Sequence, residues 1–126
     1  MSKFGWILLV LVVLSAAPMA MAGDAIVGEV VDSGCYTREA SRGADHKECA
    51  ARCLKNGNPA GVLTDDGQLY TLAASASSYE GFAAKRIKVD GKRIDRTIFP
   101  ETVSVWEDDA WVEVPLTKFG GPETKD

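Results

Sequence analysis

The 126-residue sequence predicts an α+β domain, mainly β: a small OB-like β-barrel of five to six strands. Three observations lead there. Short β-branched or alternating runs recur along the chain, separated by Asp-Gly, Asn-Gly and Asp-Asp turn signals. A cysteine-bearing helical pattern is inserted between the first and second of these runs. A shorter helical pattern falls mid-chain between the third and fourth, where an OB barrel carries its helix.

The chain opens on a targeting pattern. Lys3 precedes the apolar run "WILLVLVVLSAA", and "AMA" at 20–22 has the small-x-small form of a signal-peptidase site. Residues 1–22 therefore read as a signal peptide cleaved after Ala22. The run is shorter than the roughly 18–20 apolar residues that a membrane span needs. No stable span is expected after cleavage, and the address is periplasmic or secreted. Residues 23–119 read as one domain, and "GGPETKD" at 120–126 as a flexible tail. The formal net charge is −4, so nucleic acid is not an expected partner.

The first strand is "AIVGEVV" at 25–31, rich in β-branched residues. Asp32, Ser33 and Gly34 read as a turn, and the polar stretch 37–45 as a loop. Asp45 and Glu48 match a capping box that starts a helix; Asn56-Gly57 ends it and Pro59 bars its continuation. Ala50 and Leu54 mark the face of that helix that packs on the barrel. "AGVLTDDGQLYTL" at 60–72 reads as a hairpin around Asp66-Gly67. "SSYEGFAA" at 77–84 reads as the short helix, with Ser77 and Glu80 as its capping box.

Two more hairpins complete the barrel. "KRIKVDGKRIDR" at 85–96 places a turn at Asp90-Gly91, with Ile87 facing Ile94 and Lys88 and Arg93 sharing a face. "VSVWEDDAWVEV" at 103–114 turns at Asp108-Asp109. Trp106 then faces Trp111, Val105 faces Val112 and Val103 faces Val114, valines on one side and tryptophans on the other.

The chemistry gathers in one stretch. All three cysteines, Cys35, Cys49 and Cys53, and the only histidine, His46, lie within "CYTREASRGADHKECAARC". Three thiolates and an imidazole are a tetrahedral zinc ligand set, and soft thiolates also suit Cu(I). Cys49 and Cys53 are i and i+4 on the expected helix, with Cβ atoms about 5–6 Å apart. A disulfide wants about 3.8 Å between Cβ atoms, whereas an ion bridges the gap. His46 fits the same ion only if it precedes the regular helix, because helical side chains lean toward the N-terminus.

Cys35 could instead bridge to Cys49 or Cys53. That staple closes a loop of about 15–19 residues and stabilises by about 3 kcal/mol. The leading reading is a non-catalytic soft-metal module, zinc or copper, with Cys35, His46, Cys49 and Cys53 as ligands. Its role would be periplasmic metal handling or a structural ion. The alternative is a disulfide-stapled barrel that binds a partner protein or small ligand. Trp106, Trp111, Lys88 and Arg93 would then form its working surface. A thiol enzyme is disfavoured: no third group orients a Cys–His pair, and the spacing is CxxxC rather than CxxC.

"GEVVDSGCY", "HKECAARC" and "NPAGVLTDDGQLYTL" together resemble a group of small exported bacterial proteins. In that group a D-x-x-C strand end precedes an H-x-x-C-x-x-x-C helix and a G-x-L-Y-x-L strand. The resemblance spans roughly residues 26–73. It implies an OB-like or small β-barrel domain, marks Asp32, Cys35, His46, Cys49 and Cys53 as motif positions, and implies a shared role for the four Cys/His residues among them. It names neither a metal nor a reaction.

Overall fold

A computed structural model describes residues 24–124. The signal-peptide reading of residues 1–22 lies outside them. Six strands and four short helical pieces follow in the order β1 Ile26–Asp32, α1 Ser33–Glu39, a 3-10 turn Ala44–His46, α2 Lys47–Lys55, β2 Ala60–Thr64, β3 Leu69–Leu72, a 3-10 segment Ala76–Phe82, β4 Arg86–Ile94, β5 Thr97–Glu107 and β6 Ala110–Val114 among the described residues.

Five of the strands close as an OB-like barrel. β1 pairs antiparallel with both β2 and β4. β4 pairs antiparallel with β5, and a parallel contact joins Thr71 to Thr97 and Leu72 to Ile98, shutting β3 against β5. Closure removes the open edges that a flat sheet would expose. β6 adds one strand to the far half of β5. Among the described residues no helix is long and apolar enough to cross a membrane.

Period-two alternation fills the barrel. Val30, Val62, Ile87, Val89 and Val103 point inward and are essentially inaccessible. Each such side chain stabilises by about 1.5–3 kcal/mol on burial. α2 contributes Ala50 and Leu54 to the same core, packing against β1 and the 3-10 segment, and Tyr79 comes from that segment. The inserted helix and the mid-chain segment thus cover one end of the barrel together.

Two hairpins match the sequence reading and one does not. The turn at Asp108 and Asp109 has both residues at positive φ, 49° and 62°, and the register sets Trp106 opposite Trp111. β2 and β3 turn across Asp65–Gly67. At Asp90-Gly91, however, the chain does not reverse. β4 runs straight through to Ile94 and turns at Asp95-Arg96, so Ile87 faces Val105 rather than Ile94. The register slips beside Asp90/Gly91, leaving Glu101 of β5 as the extra residue of a bulge. Gly91 is required there because any Cβ would overlap the Phe99 carbonyl oxygen. The Asp-Gly pair marks a close backbone approach, not a turn.

Other local readings also shift. Residues 33–39, read as turn and loop, form α1 with Asp32 as N-cap. Asp45 does not cap α2; it lies in the 3-10 turn, and His46 holds the N-cap position without a side-chain hydrogen bond. The segment read as a helix at 77–84 is 3-10, and no side chain caps it. Gly120, Gly121 and Pro122, read as tail, are buried. The Tyr79 hydroxyl donates to the Gly120 carbonyl at 2.8 Å, and Leu116 bridges to Pro122.

Candidate metal centre

The site begins with a cap. β1 ends at Asp32, whose carboxylate turns over the start of α1. Its Oδ1 accepts from the Gly34 N–H at 2.8 Å and the Cys35 N–H at 3.4 Å, as an N-cap side chain does. On the far side of the group, α2 ends at Lys55 with Asn56 as its C-cap, and Gly57 takes φ 96°, the left-handed C′ position. That reversal brings Asn58 back so that its amide donates to Asp32 Oδ2 at 3.3 Å. Both carboxylate oxygens are therefore fixed: Oδ1 accepts two hydrogen bonds and Oδ2 one, which leaves about one lone pair on Oδ2 for a further donor or an ion.

This framework brings three donors together. One oxygen of Asp32, Cys35 Sγ and Cys53 Sγ all lie within 4.8 Å of one another. Asp32 is fully buried, Cys35 is 7% exposed and Cys53 is half-buried. The three come from β1, α1 and α2. The Arg38 guanidinium lies 3.9 Å from Cys35 Sγ, one turn along α1.

The electrostatics follow from the carboxylate. Burial works against ionisation of Asp32, but hydrogen bonds from Cys35, Asn58, Gly34 and Cys53 outweigh it and hold the acid below its ordinary range. The negative carboxylate in turn favours the neutral thiols. Hydrogen bonding to Asp32, then burial and the Asp32 charge, push Cys53 up to about 11. The same causes raise Cys35, with Arg38 and Cys53 opposing. These are not activated nucleophiles. They are thiols that a metal ion must deprotonate in order to bind.

The sequence-predicted ligands divide. Cys35 and Cys53 meet, and Asp32, marked only by the resemblance, joins them. Cys49 is exposed and His46 half-buried, and neither belongs to the group. His46 does precede the regular helix, as a shared ion would require, and its Nε2 is buried without a hydrogen-bond partner. All three cysteines are free thiols.

The predicted surface residues separate as well. Trp106 and Trp111 pack edge to face at 5.1 Å, and the Lys88 ammonium sits 4.9 Å over the Trp111 ring. Arg93 is elsewhere. Because β4 is one uninterrupted strand, Lys88 and Arg93 alternate onto opposite faces. Arg93 lies 5.8 Å over the Tyr70 ring, beside a groove lined by Ala25, Thr64 and Asp65.

No family model, no curated protein and no solved structure matches this chain. The small β-barrel that the motif resemblance implies is present. The Asp32–Cys35–Cys53 group is narrower than the five-residue motif.

Proposed function

We propose that this domain binds a soft metal ion through Cys35 and Cys53, with Asp32 as the third donor. The observation that carries the reading is the convergence of these three donor atoms, from three elements, within 4.8 Å. Two thiolates with a carboxylate are a zinc-type donor set, and the thiolate pair alone suits Cu(I). Charge balance favours the divalent ion. Two thiolates and a carboxylate carry three negative charges, which a divalent ion and the neighbouring Arg38 offset. A periplasmic or secreted location is part of this proposal, supported by the signal-peptide-like pattern of residues 1–22. Its role there is metal handling, or an ion that orders an interaction module for a partner protein.

When bound, the ion supplies a link between α1 and α2 and an acidic centre. The chain supplies orientation: Asn58 and the α1 backbone hold Asp32 in place, and Ala50 and Leu54 fix α2 against the barrel. His46 and Cys49 stand outside this resting group, and a four-ligand site would need them to join on binding.

The test is competition with a chromophoric chelator for zinc, and separately for Cu(I) without oxygen. One equivalent should bind. Cys35→Ser and Cys53→Ser should each abolish stoichiometric binding, while Cys49→Ser and His46→Ala retain it. Loss in either of the last two would add that residue to the ligand set, and loss in both would establish the larger set of Cys35, His46, Cys49 and Cys53. Undiminished binding in the first two would overturn the site.

A further inference from the structure

We infer that Cys35 and Cys53 also form a reversible disulfide, so that oxidation of this pair closes the metal site. The metal half of this inference rests on the function proposed above; the disulfide half stands on the thiol geometry alone.

Three cysteines leave one unpaired, and the fold decides which. Cys35 Sγ and Cys53 Sγ already lie within 4.8 Å, on separate helices. A bridge requires the sulfurs to close from within 4.8 Å to about 2.05 Å, by side-chain rotation and a shift of α1. α1 is seven residues long and ends in a left-handed Ala40, so it is a small unit to move. Cys49 and Cys53 share one helix at i and i+4, with Cβ atoms about 5–6 Å apart against the roughly 3.8 Å that a bridge wants. Bridging them would break α2, which Ala50 and Leu54 hold against the core. Cys49 is exposed and stands apart.

The oxidant is a low-molecular-weight disulfide such as oxidised glutathione. Cys53, the more accessible of the two, gives up its proton and attacks one of the oxidant's sulfurs through its minor thiolate form. The glutathione S–S bond breaks and one glutathione leaves, taking up a proton. Cys35 then attacks the Cys53 side of the mixed disulfide, and the second glutathione leaves with a proton. Two protein thiols are oxidised to one disulfide, and one glutathione disulfide is reduced to two thiols. The bridged sulfurs have no thiolate left to donate, so bridge and metal exclude each other. By linkage, metal must protect the pair from oxidation as much as oxidation weakens metal binding.

The experiment treats the purified, reduced, metal-free protein with excess oxidised glutathione, alkylates the remaining thiols and maps the peptides by mass. The expected result is a Cys35–Cys53 link with Cys49 outside it, either alkylated or carrying one glutathione. Cys49→Ser should give the same link with no thiol left. Prior loading with one equivalent of zinc should slow bridge formation, and the bridged protein should bind zinc at least about a hundredfold more weakly. A bridge that includes Cys49, or no bridge at all, overturns the inference. A Cys35–Cys53 bridge in a protein that never binds zinc or Cu(I) when reduced sustains the disulfide and sinks the metal reading. Metal bound by the reduced protein without any bridge does the reverse.

Discussion

The Asp32 carboxylate and the Cys53 sulfur face each other within 4.8 Å, one at the end of the first strand and the other in α2. The contact ties the insertion to the barrel and sets the charge state of the thiol. Asn caps a helix as well as Asp does, so Asp32→Asn removes the charge and keeps α1. The Cys53 thiol should then titrate well below about 11, moving toward 9.0. Thiolate absorbance in a Cys35→Ser, Cys49→Ser background reads this. A thiol that stays near its original value would show that burial, not Asp32, controls it.

The raised thiols also give metal binding a steep pH dependence. At neutral pH both sulfurs are protonated, so one bound ion should release about two protons, and affinity should rise with pH. Calorimetry in buffers of different ionisation enthalpy counts those protons. Stability of the metal-free protein moves the other way. Cys53 has its folded value raised from 9.0 to about 11, so its contribution is complete below pH 9.0 and is lost as pH rises through 11. The stability difference between the wild type and Cys53→Ser should shrink across that window in urea unfolding. A constant difference would remove the linkage.

Asn58 positions Asp32 rather than binding metal itself. Asn58→Ala should cost about 1 kcal/mol of stability from the lost hydrogen bond to Oδ2. It should also lower zinc affinity roughly tenfold, the scale typical of a residue that orients a ligand. Asn58→Asp, which sets a second carboxylate against the first, should be worse in stability than Asn58→Ala. Equal affinity in the wild type and Asn58→Ala would remove the positioning role.

Tyr79 anchors the C-terminal segment. Its hydroxyl donates to the Gly120 carbonyl in a buried contact at 2.8 Å, and burial raises its pKa. Tyr79→Phe leaves that carbonyl unpaired and should destabilise by about 1–3 kcal/mol. Limited proteolysis should find new cleavage after residue 115. Unchanged protection would mean that the Leu116–Pro122 bridge holds the segment by itself.

The bulge beside Gly91 makes a separate stability prediction. Gly91→Ala would drive a methyl group into the Phe99 carbonyl, and the backbone must shift to relieve it. A loss of about 1–3 kcal/mol is expected, the scale of forced overpacking, with the metal site intact. Urea unfolding and zinc affinity measured on the same variant separate the two effects.

Much of the barrel was legible because its cues are local. Alternating valines place Val103 and Val105 inside, and two adjacent aspartates can both take positive φ, so the Trp106–Trp111 register follows from the sequence. Ala50 and Leu54 lie on the buried face of α2 as helical spacing requires. α1 was not legible. "SGCYTRE" has no apolar period, and its start depends on the Asp32 cap, which from sequence reads equally as a turn. The long β4 was missed because Asp-Gly serves both hairpin turns and close backbone approaches.

The sequence by itself determined that thiols and an imidazole gather between the first two strands of a small β-barrel. Residue type and periodicity along one chain suffice for that. The membership of the site was decided only by tertiary structure. Cys49 and Cys53 are close in sequence and share a helix, yet one faces solvent and the other faces Asp32. Which sulfur turns inward depends on how α2 rolls when Leu54 and Ala50 seat against the barrel. Asp32 joins because the end of β1 is buried beneath that helix, a fact of packing that no local pattern carries.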